Sequence, residues 1–245
     1  MKEEKKFMNN KYKNGVLVFI KSPETGKIKS RLSTSIDKEI VKSIYKLFVQ
    51  DLLKNLEKLQ YEKIICYHPK NASDEIKKWL GTDYIYLPQT GRNLGERLKN
   101  GFIQGFENGF TKLIAIGSDS PDMNIDFFND AIKNLDSCDT VIGPSIDGGY
   151  YLIGFKKNSF YPEVFDDIPW STEFVYKKSL DSINKANLKV HILPLWHDVD
   201  TIEDLFNLYK NNQNTEFKDS QTIEFLSRFF KENLLKKLGD KKFEK

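Results

Sequence analysis

The sequence predicts an α/β domain with a mainly parallel central sheet flanked by helices. Short apolar runs alternate along the chain with stretches of helical periodicity, the pattern of successive strand–helix units. The first run, Val16-Leu17-Val18-Phe19-Ile20, is apolar throughout, as in a strand buried on both faces. Loops rich in charge or glycine follow several runs, and an open α/β sheet holds its ligand outside the carboxyl ends of its strands.

The elements follow in order. After the first strand comes Lys21-Ser22-Pro23-Glu24-Thr25-Gly26-Lys27-Ile28-Lys29-Ser30-Arg31-Leu32. Ile40, Val41, Ile44, Leu47, Phe48 and Leu52 then mark a long amphipathic helix. Residues 64–67 read as a second strand, 73–80 as a short helix and 84–87 as a third strand. A turn at Gln89-Thr90-Gly91-Arg92-Asn93 enters a helix with Leu94, Leu98, Phe102 and Phe106 on one face. The run 113–116 ends in Gly117-Ser118-Asp119-Ser120-Pro121-Asp122, and Asn124 is placed to cap the next helix. Residues 140–143 and 150–155 read as strands joined through Asp147-Gly148-Gly149. Residues 165–170 are irregular, and Ser171 or Thr172 is expected to cap a helix reaching Asn187. A last strand at 190–193 leads through Trp196-His197-Asp198-Val199-Asp200 to Thr201 and Asp204, spaced as a capping box. That helix ends near Asn211. A polar linker, 212–219, precedes a final helix with the stripe Ile223, Leu226, Phe230 and Leu234, and a charged tail begins at Gly239.

A chain of 245 residues buries a full core as one large domain or two small ones. Its 39% hydrophobic content fits a folded chain rather than a disordered one. Thirty-eight basic and 35 acidic residues leave a net charge of +3, too small a field to suggest nucleic acid or a membrane surface as partner. Two cysteines, Cys66 and Cys138, make no disulfide framework. The lysine-rich residues 1–14 lack the apolar segment of a secretion signal, and no run reaches membrane-spanning length. A cytoplasmic protein is expected. Arginine occurs only at 31, 92, 97 and 228 in this lysine-biased chain, which draws attention to places that need a planar fork of donors.

The first loop is the best anion-site candidate. Gly26 lets amides approach a phosphate; Lys21, Lys27, Lys29 and Arg31 supply charge. It is not a Walker A loop, because Ile28 follows Gly26-Lys27 and Lys21 stands where the earlier glycine belongs. Asp119, on the loop leaving a buried strand, offers hard oxygen to Mg²⁺ or Mn²⁺, with Asp200 from a second strand end as partner. Asp122 serves equally as a structural acid, and Asp198 and His197 stand beside the same site. Asp147-Gly148-Gly149 is either a hairpin turn or a place where Asp147 takes a sugar hydroxyl against glycine backbone. Trp170 is read as a stacking platform or as packing. His68 and His191 are read as structural, and Cys66 as core.

Taken as an ordered set, several motifs carry a family resemblance. They are Pro23 with Gly26-Lys27-Ile28-Lys29-Ser30-Arg31-Leu32, Gln89 with Leu94-Gly95-Glu96-Arg97, and Gly117-Ser118-Asp119-Ser120-Pro121-Asp122. Gly143-Pro144 with Asp147-Gly148-Gly149-Tyr150-Tyr151-Leu152-Ile153-Gly154, Ile168-Pro169-Trp170-Ser171-Thr172-Glu173, and Asp198-Val199-Asp200-Thr201 with Glu203-Asp204-Leu205 complete it. The set resembles a bacterial family of GT-A-like glycosyltransferases assigned by inference, associated by name with arsenosugar biosynthesis and long described as a domain of unknown function. That family is in turn similar to nucleotide-diphospho-sugar transferases and to small guanylyltransferases. The resemblance implies a GT-A-like transferase domain over 15–211, with 212–245 as linker and C-terminal helix on the same domain. It implies that the first loop holds the nucleotide diphosphate, that Asp119 holds a divalent metal with Asp200 near it, and that Asp147, Gly148 and Gly149 line the acceptor or sugar pocket. With the loop chemistry, the expected site is Asp147 and Asp119 as catalytic residues, Lys21, Gly26, Lys27, Lys29, Arg31 and Arg97 at the nucleotide phosphates, Gly148, Gly149 and Trp170 at the substrate, and Asp119 and Asp200 at Mg²⁺ or Mn²⁺.

The expected activity is metal-dependent transfer of a sugar from a nucleotide-diphosphate donor to a small-molecule acceptor. Nucleotidyl transfer on the same fold is the alternative, and a non-catalytic sugar-nucleotide-binding module a third. A phosphatase with its nucleophilic aspartate after the first strand fits less well, since Lys21-Ser22-Pro23 stands there.

Overall fold

The computed structural model describes residues 14–240, with side chains described to residue 231. The lysine-rich start, Leu234 in the last stripe and the tail beyond Asp240 lie outside that description.

Seven strands form the sheet: β1 (Asn14–Lys21), β2 (Glu62–His68), β3 (Ile85–Pro88), β4 (Lys112–Ile116), β5 (Thr140–Pro144), β6 (Tyr150–Lys156) and β7 (Val190–Ile192). Their order is β3-β2-β1-β4-β6-β5-β7. Every pairing is parallel except those of β6, which runs antiparallel to both β4 and β5. The helices are α1 (Lys38–Leu56), α2 (Ser73–Leu80), α3 (Leu94–Glu107), α4 (Ile125–Asn134), α5 (Val175–Lys185), α6 (Ile202–Asn211) and α7 (Gln221–Asp240). The result is an α/β fold with a mostly parallel sheet between helical layers, as the alternation of runs predicts.

The apolar runs work as two-faced strands. Val16, Val18 and Ile20 pack with Tyr45, Val49 and Leu52 of α1, Ile76 of α2 and Phe128 of α4. Leu17 joins Leu98, Phe102 and Phe106 of α3 and Ile183 of α5 on the other face. A third cluster joins Val41, Ile44 and Phe48 of α1 to Leu205 and Leu208 of α6 and Leu226 of α7. The expected linker carries a 3₁₀ turn, Glu216–Asp219. After it, the buried Asp51 of α1 accepts the amides of Gln221 and Thr222 at 3.2 and 2.7 Å. Donors that α7 cannot satisfy internally are thereby satisfied by another helix.

Local signals hold at most helix starts. Asn124 accepts the Asp126 amide at 2.9 Å, and Thr201 and Asp204 form the capping box of α6. The start of α5 differs from expectation. Neither Ser171 nor Thr172 caps it; Phe174 holds that position without a side-chain bond. Instead the Gly148 carbonyl accepts the Tyr176 amide at 2.9 Å, so the β5–β6 turn does the cap's work. Among the described residues no helix is long and apolar enough to cross a membrane. Cys66 and Cys138 are buried free thiols.

Candidate functional site

The loops that follow β1, β3, β4, β5 and β7 gather at one edge of the sheet around a cleft of ≈ 670 Å³. Backbone bonds tie three of them together. Val199 donates to the Asp119 carbonyl at 3.0 Å, Trp196 to Pro144 at 3.1 Å, and Ile146 to Trp196 at 3.0 Å. Lys21, Arg31, Arg97, Asp119, Asp147, Gly149, Trp170 and Asp200 all line the cleft. Gly26, Lys27, Lys29 and Gly148 do not.

The first loop is tied inward. The Ser22 hydroxyl donates to Glu75 at 2.7 Å and accepts the amides of Glu24 and Thr25 at 3.2 and 3.0 Å. Gly26 donates to the Ser22 carbonyl at 2.9 Å, and a Cβ at 26 would sit 2.5 Å from that oxygen. Gly26 is therefore small for the turn, not for a phosphate, because its own amide is spent. Lys27 is exposed outside the cleft, and its carbonyl accepts the Lys21 ammonium at 3.2 Å.

Lys29 departs further from expectation. Its side chain is 2% exposed and its ammonium meets Asp119 Oδ1, the Val199 carbonyl at 2.8 Å and Asp200 Oδ1 at 3.3 Å. Three acceptors use the three donors of an ammonium, so Lys29 binds the acids and not a phosphate. Burial pulls its pKa down, but Asp119 and then Asp200 hold it above the ordinary lysine value. Arg31, 71% exposed, stands 3.6 Å from Asp200 Oδ2 and faces the cleft.

Asp119 and Asp200 thus meet through a shared ammonium. Asp119 Oδ2 stays on the side of Gly117, where an added Cβ would lie 3.9 Å from it and meet nothing closer. No three His, Cys, Asp or Glu side chains form a metal-binding group among the described residues. Mg²⁺ needs no protein cage, since one or two carboxylates with substrate phosphates suffice. Asp119 Oδ2 fits that lesser requirement, while Asp200 Oδ2 already faces Arg31 at 3.6 Å. Asp198 lines the same wall and accepts the Ser120 hydroxyl at 2.8 Å. Burial and then the Asp119 charge push its pKa up to about 6.

Asp122 belongs to the scaffold. It accepts Asn212 at 2.8 Å, lies 3.8 Å from His197 Nε2, and does not line the cleft; burial raises its pKa. His68 and His191 are also absent from the lining, and His191 lies 3.1 Å from Asp130.

Asp147 sits at the β5–β6 turn. Its Oδ1 accepts the Ser145 hydroxyl and, at 2.9 Å, the Gly149 amide, so the hairpin reading of this acid is realised and Oδ2 remains. Gly148 has φ +86°, and a Cβ there would stand 2.1 Å from the Glu173 carbonyl oxygen. It serves packing of the turn on 171–175 rather than a ligand. Trp170 meets Tyr150 edge-on at 6.3 Å while lining the cleft. From sequence, Gln89 and Glu173 carried no stated role. Gln89 Nε2 donates to the carbonyls of Ile20 and Cys66 at 3.0 and 2.7 Å, and Glu173 stands exposed in the cleft wall. Only their places in the ordered motifs marked them.

This α/β fold, with its cleft at the strand ends, is similar to that of structures described as nucleotide-diphospho-sugar transferases. The crystal structure of a provisionally assigned nucleotide-diphospho-sugar transferase from Desulfovibrio desulfuricans G20 matches with TM-score 0.85 and 39% identity, covering 89% of this chain and 95% of that one. The chain belongs to that protein's family. A family model described as "Uncharacterized protein conserved in bacteria (DUF2064)" matches residues 52–172. The fold extends to 4-diphosphocytidyl-2C-methyl-D-erythritol synthase from Anaerococcus prevotii DSM 20548, at TM-score 0.54 and 12% identity over 85% of this chain and 99% of that one. It extends also to Rv0371c of Mycobacterium tuberculosis H37Rv, solved in complex with manganese, at TM-score 0.50 and 12% identity over 80% and 97%. No curated protein matches the chain.

Proposed function

We propose that this protein is a metal-dependent glycosyltransferase, moving a sugar from a nucleotide-diphosphate donor to a small acceptor. One observation carries the reading: a single cleft at the strand ends is lined by the cations Lys21, Arg31 and Arg97 together with the carboxylates Asp119, Asp147, Asp198 and Asp200. The 39% identity to the Desulfovibrio protein supports the donor class.

In this reading Lys21, Arg31 and Arg97 hold the diphosphate, Arg31 through its planar fork, with Lys27 at the outer rim. Asp119 and Asp200 would hold Mg²⁺ or Mn²⁺ together with the nucleotide; the metal supplies charge neutralisation on the leaving diphosphate. Lys29 keeps the two acids fixed beside each other. Asp147 Oδ2 orients an acceptor hydroxyl and takes its proton as the acceptor oxygen bonds to the anomeric carbon and the bond to the diphosphate oxygen breaks. Trp170 flanks the sugar.

Nucleotidyl transfer is the second reading, favoured by the fold shared with the cytidylyl-transferring synthase. Product analysis with nucleotide sugars, nucleoside triphosphates and Mn²⁺ separates the two. Free nucleoside diphosphate supports sugar transfer; pyrophosphate supports nucleotidyl transfer. Binding without turnover, unchanged in Asp119→Asn, supports a binding module. Absence of thermal stabilisation by every nucleotide, in folded protein, overturns all three.

A further inference from the structure

The place between Asp119 and Asp200, where one ion would bridge them, is filled by a cation of the chain itself. The Lys29 ammonium touches Oδ1 of Asp119 and, at 3.3 Å, Oδ1 of Asp200. Its remaining donor goes to the Val199 carbonyl at 2.8 Å, so all three are engaged. The ring of Phe48, buried in α1, lies 5.7 Å from the same nitrogen, within reach of a cation–π contact. Arg31 faces the outer oxygen of Asp200 at 3.6 Å. Among the described residues Asp119 Oδ2 is the oxygen of the pair that no cation of the chain takes.

A second, independent observation is the backbone that delivers this side chain. Lys29 has φ +41°, a left-handed conformation that lysine rarely adopts. Its carbonyl accepts the Ser33 amide at 3.0 Å and the Ser33 hydroxyl at 3.2 Å, which hold the bend. Such a conformation persists where the surroundings over-determine it. Here they lead the lysine stem inward, 2% exposed, to the two acids. The ammonium leaves only by giving up Asp119, Asp200 and the Val199 carbonyl together. Asp147 and Asp198 also line the cleft, one oxygen of each tied to its own loop at Gly149 and Ser120, and Lys29 pairs with neither.

We infer that Lys29 is a resident counter-ion that fixes the order of binding: the free protein takes up no divalent metal, and Mg²⁺ or Mn²⁺ enters only with the nucleotide, whose phosphates supply the ligands that Lys29 withholds. The word nucleotide rests on the transferase reading; exclusion of metal from the free site rests on Lys29 alone. A divalent ion bridging the two acids meets the ammonium at close range in a partly buried place, where like charges repel strongly. An ion carried on a diphosphate needs only one or two protein carboxylates, and Asp119 Oδ2 is open to it.

Equilibrium dialysis of the full chain against Mn²⁺ tests this, with and without a mixture of ADP, CDP, GDP and UDP. The proteins are wild type, Lys29→Met and Lys29→Gln, each checked for a cooperative melting transition. Lys29→Gln serves where Lys29→Met does not fold, and the wild-type arm needs neither. Wild type is expected to retain Mn²⁺ only when the nucleotides are present. The neutral variants are expected to retain it alone, at least about tenfold more tightly than wild type, with metal-free nucleotide affinity little changed. Wild type that retains Mn²⁺ as tightly alone as with nucleotides overturns the inference. So does a folded neutral variant that gains no Mn²⁺, or one that loses nucleotide affinity instead, which would send Lys29 to the phosphates. Wild type that takes up no ion with any nucleotide, while Lys29→Met gains one alone, overturns the transferase reading and leaves the exclusion by Lys29 standing.

Discussion

The Lys29 ammonium lies against the Asp119 carboxylate while Asp119 itself is 47% exposed and Lys29 is 2% exposed. The pair is therefore asymmetric. Removing the lysine leaves acids that water can reach, whereas removing the acids strands a buried cation. Lys29→Met is expected to cost about 1–2 kcal/mol, and Asp119→Ala with Asp200→Ala about 3–5 kcal/mol. Urea unfolding in EDTA measures both, and the reverse order would contradict the burial argument. Lys29→Met is also expected to tighten Mn²⁺ binding, since a competing cation is gone.

Asp198 supplies a pH dependence. Its folded pKa of about 6 lies above the ordinary aspartate value of 3.8, so the folded state binds the proton more tightly than the unfolded one. Ionisation then destabilises the fold. The penalty is absent below the unfolded value, grows between pH 3.8 and about 6, and is complete above. Asp198→Asn, which keeps an acceptor for Ser120, should stabilise metal-free protein by on the order of 2 kcal/mol at pH 8 and by little at pH 4. Urea midpoints at several pH values test this; a difference constant across the range would assign the effect to packing.

Two glycines should separate scaffold from ligand space. Gly148→Ala forces a Cβ onto the Glu173 carbonyl at positive φ and is expected to cost about 2–4 kcal/mol. Gly117→Ala meets nothing within 3.9 Å and should leave thermal stability nearly unchanged while weakening nucleotide binding. Calorimetric melting and titration of the two variants check both halves. A Gly117→Ala protein with unaltered nucleotide affinity would put the nucleotide elsewhere.

Asp51 is expected to help anchor α7 beside the apolar packing of Leu226. Asp51→Ala removes the acceptor for the amides of Gln221 and Thr222 and should cost about 1–2 kcal/mol, as for a lost cap. Hydrogen exchange should rise first in α7, while β1 and β4 stay protected.

Local patterns carried much of this into the sequence. The period of Ser73–Leu80 and the cap residues Asn124 and Thr201 depend on near neighbours, and their helices begin where expected. Asp119 was visible because an acid at the end of an apolar run is itself a local pattern. Lys29 was misread because its partners, Val199 and Asp200, lie 170 and 171 residues away. Composition shows a basic loop but not which cation turns inward. Gly26 misled for a related reason: glycine was required by the Ser22 carbonyl, four residues back, rather than by a guest. The scaffold role of Asp122 depends on Asn212, 90 residues on. The missing cap on α5 reflects Gly148, whose carbonyl arrives from another loop.

The reversed strand β6 has a consequence for size. It stands between β4 and β5, so the exits carrying Asp119 and Asp147 are separated by two inter-strand steps, roughly 10 Å. Backbone hydrogen bonding fixes that gauge, and no side chain can widen or narrow it. In the proposed reading, a ligand held between the two acids is gauged first by the sheet, and the loop stretches that carry Asp119 beyond Ile116 and Asp147 beyond Pro144 set the rest.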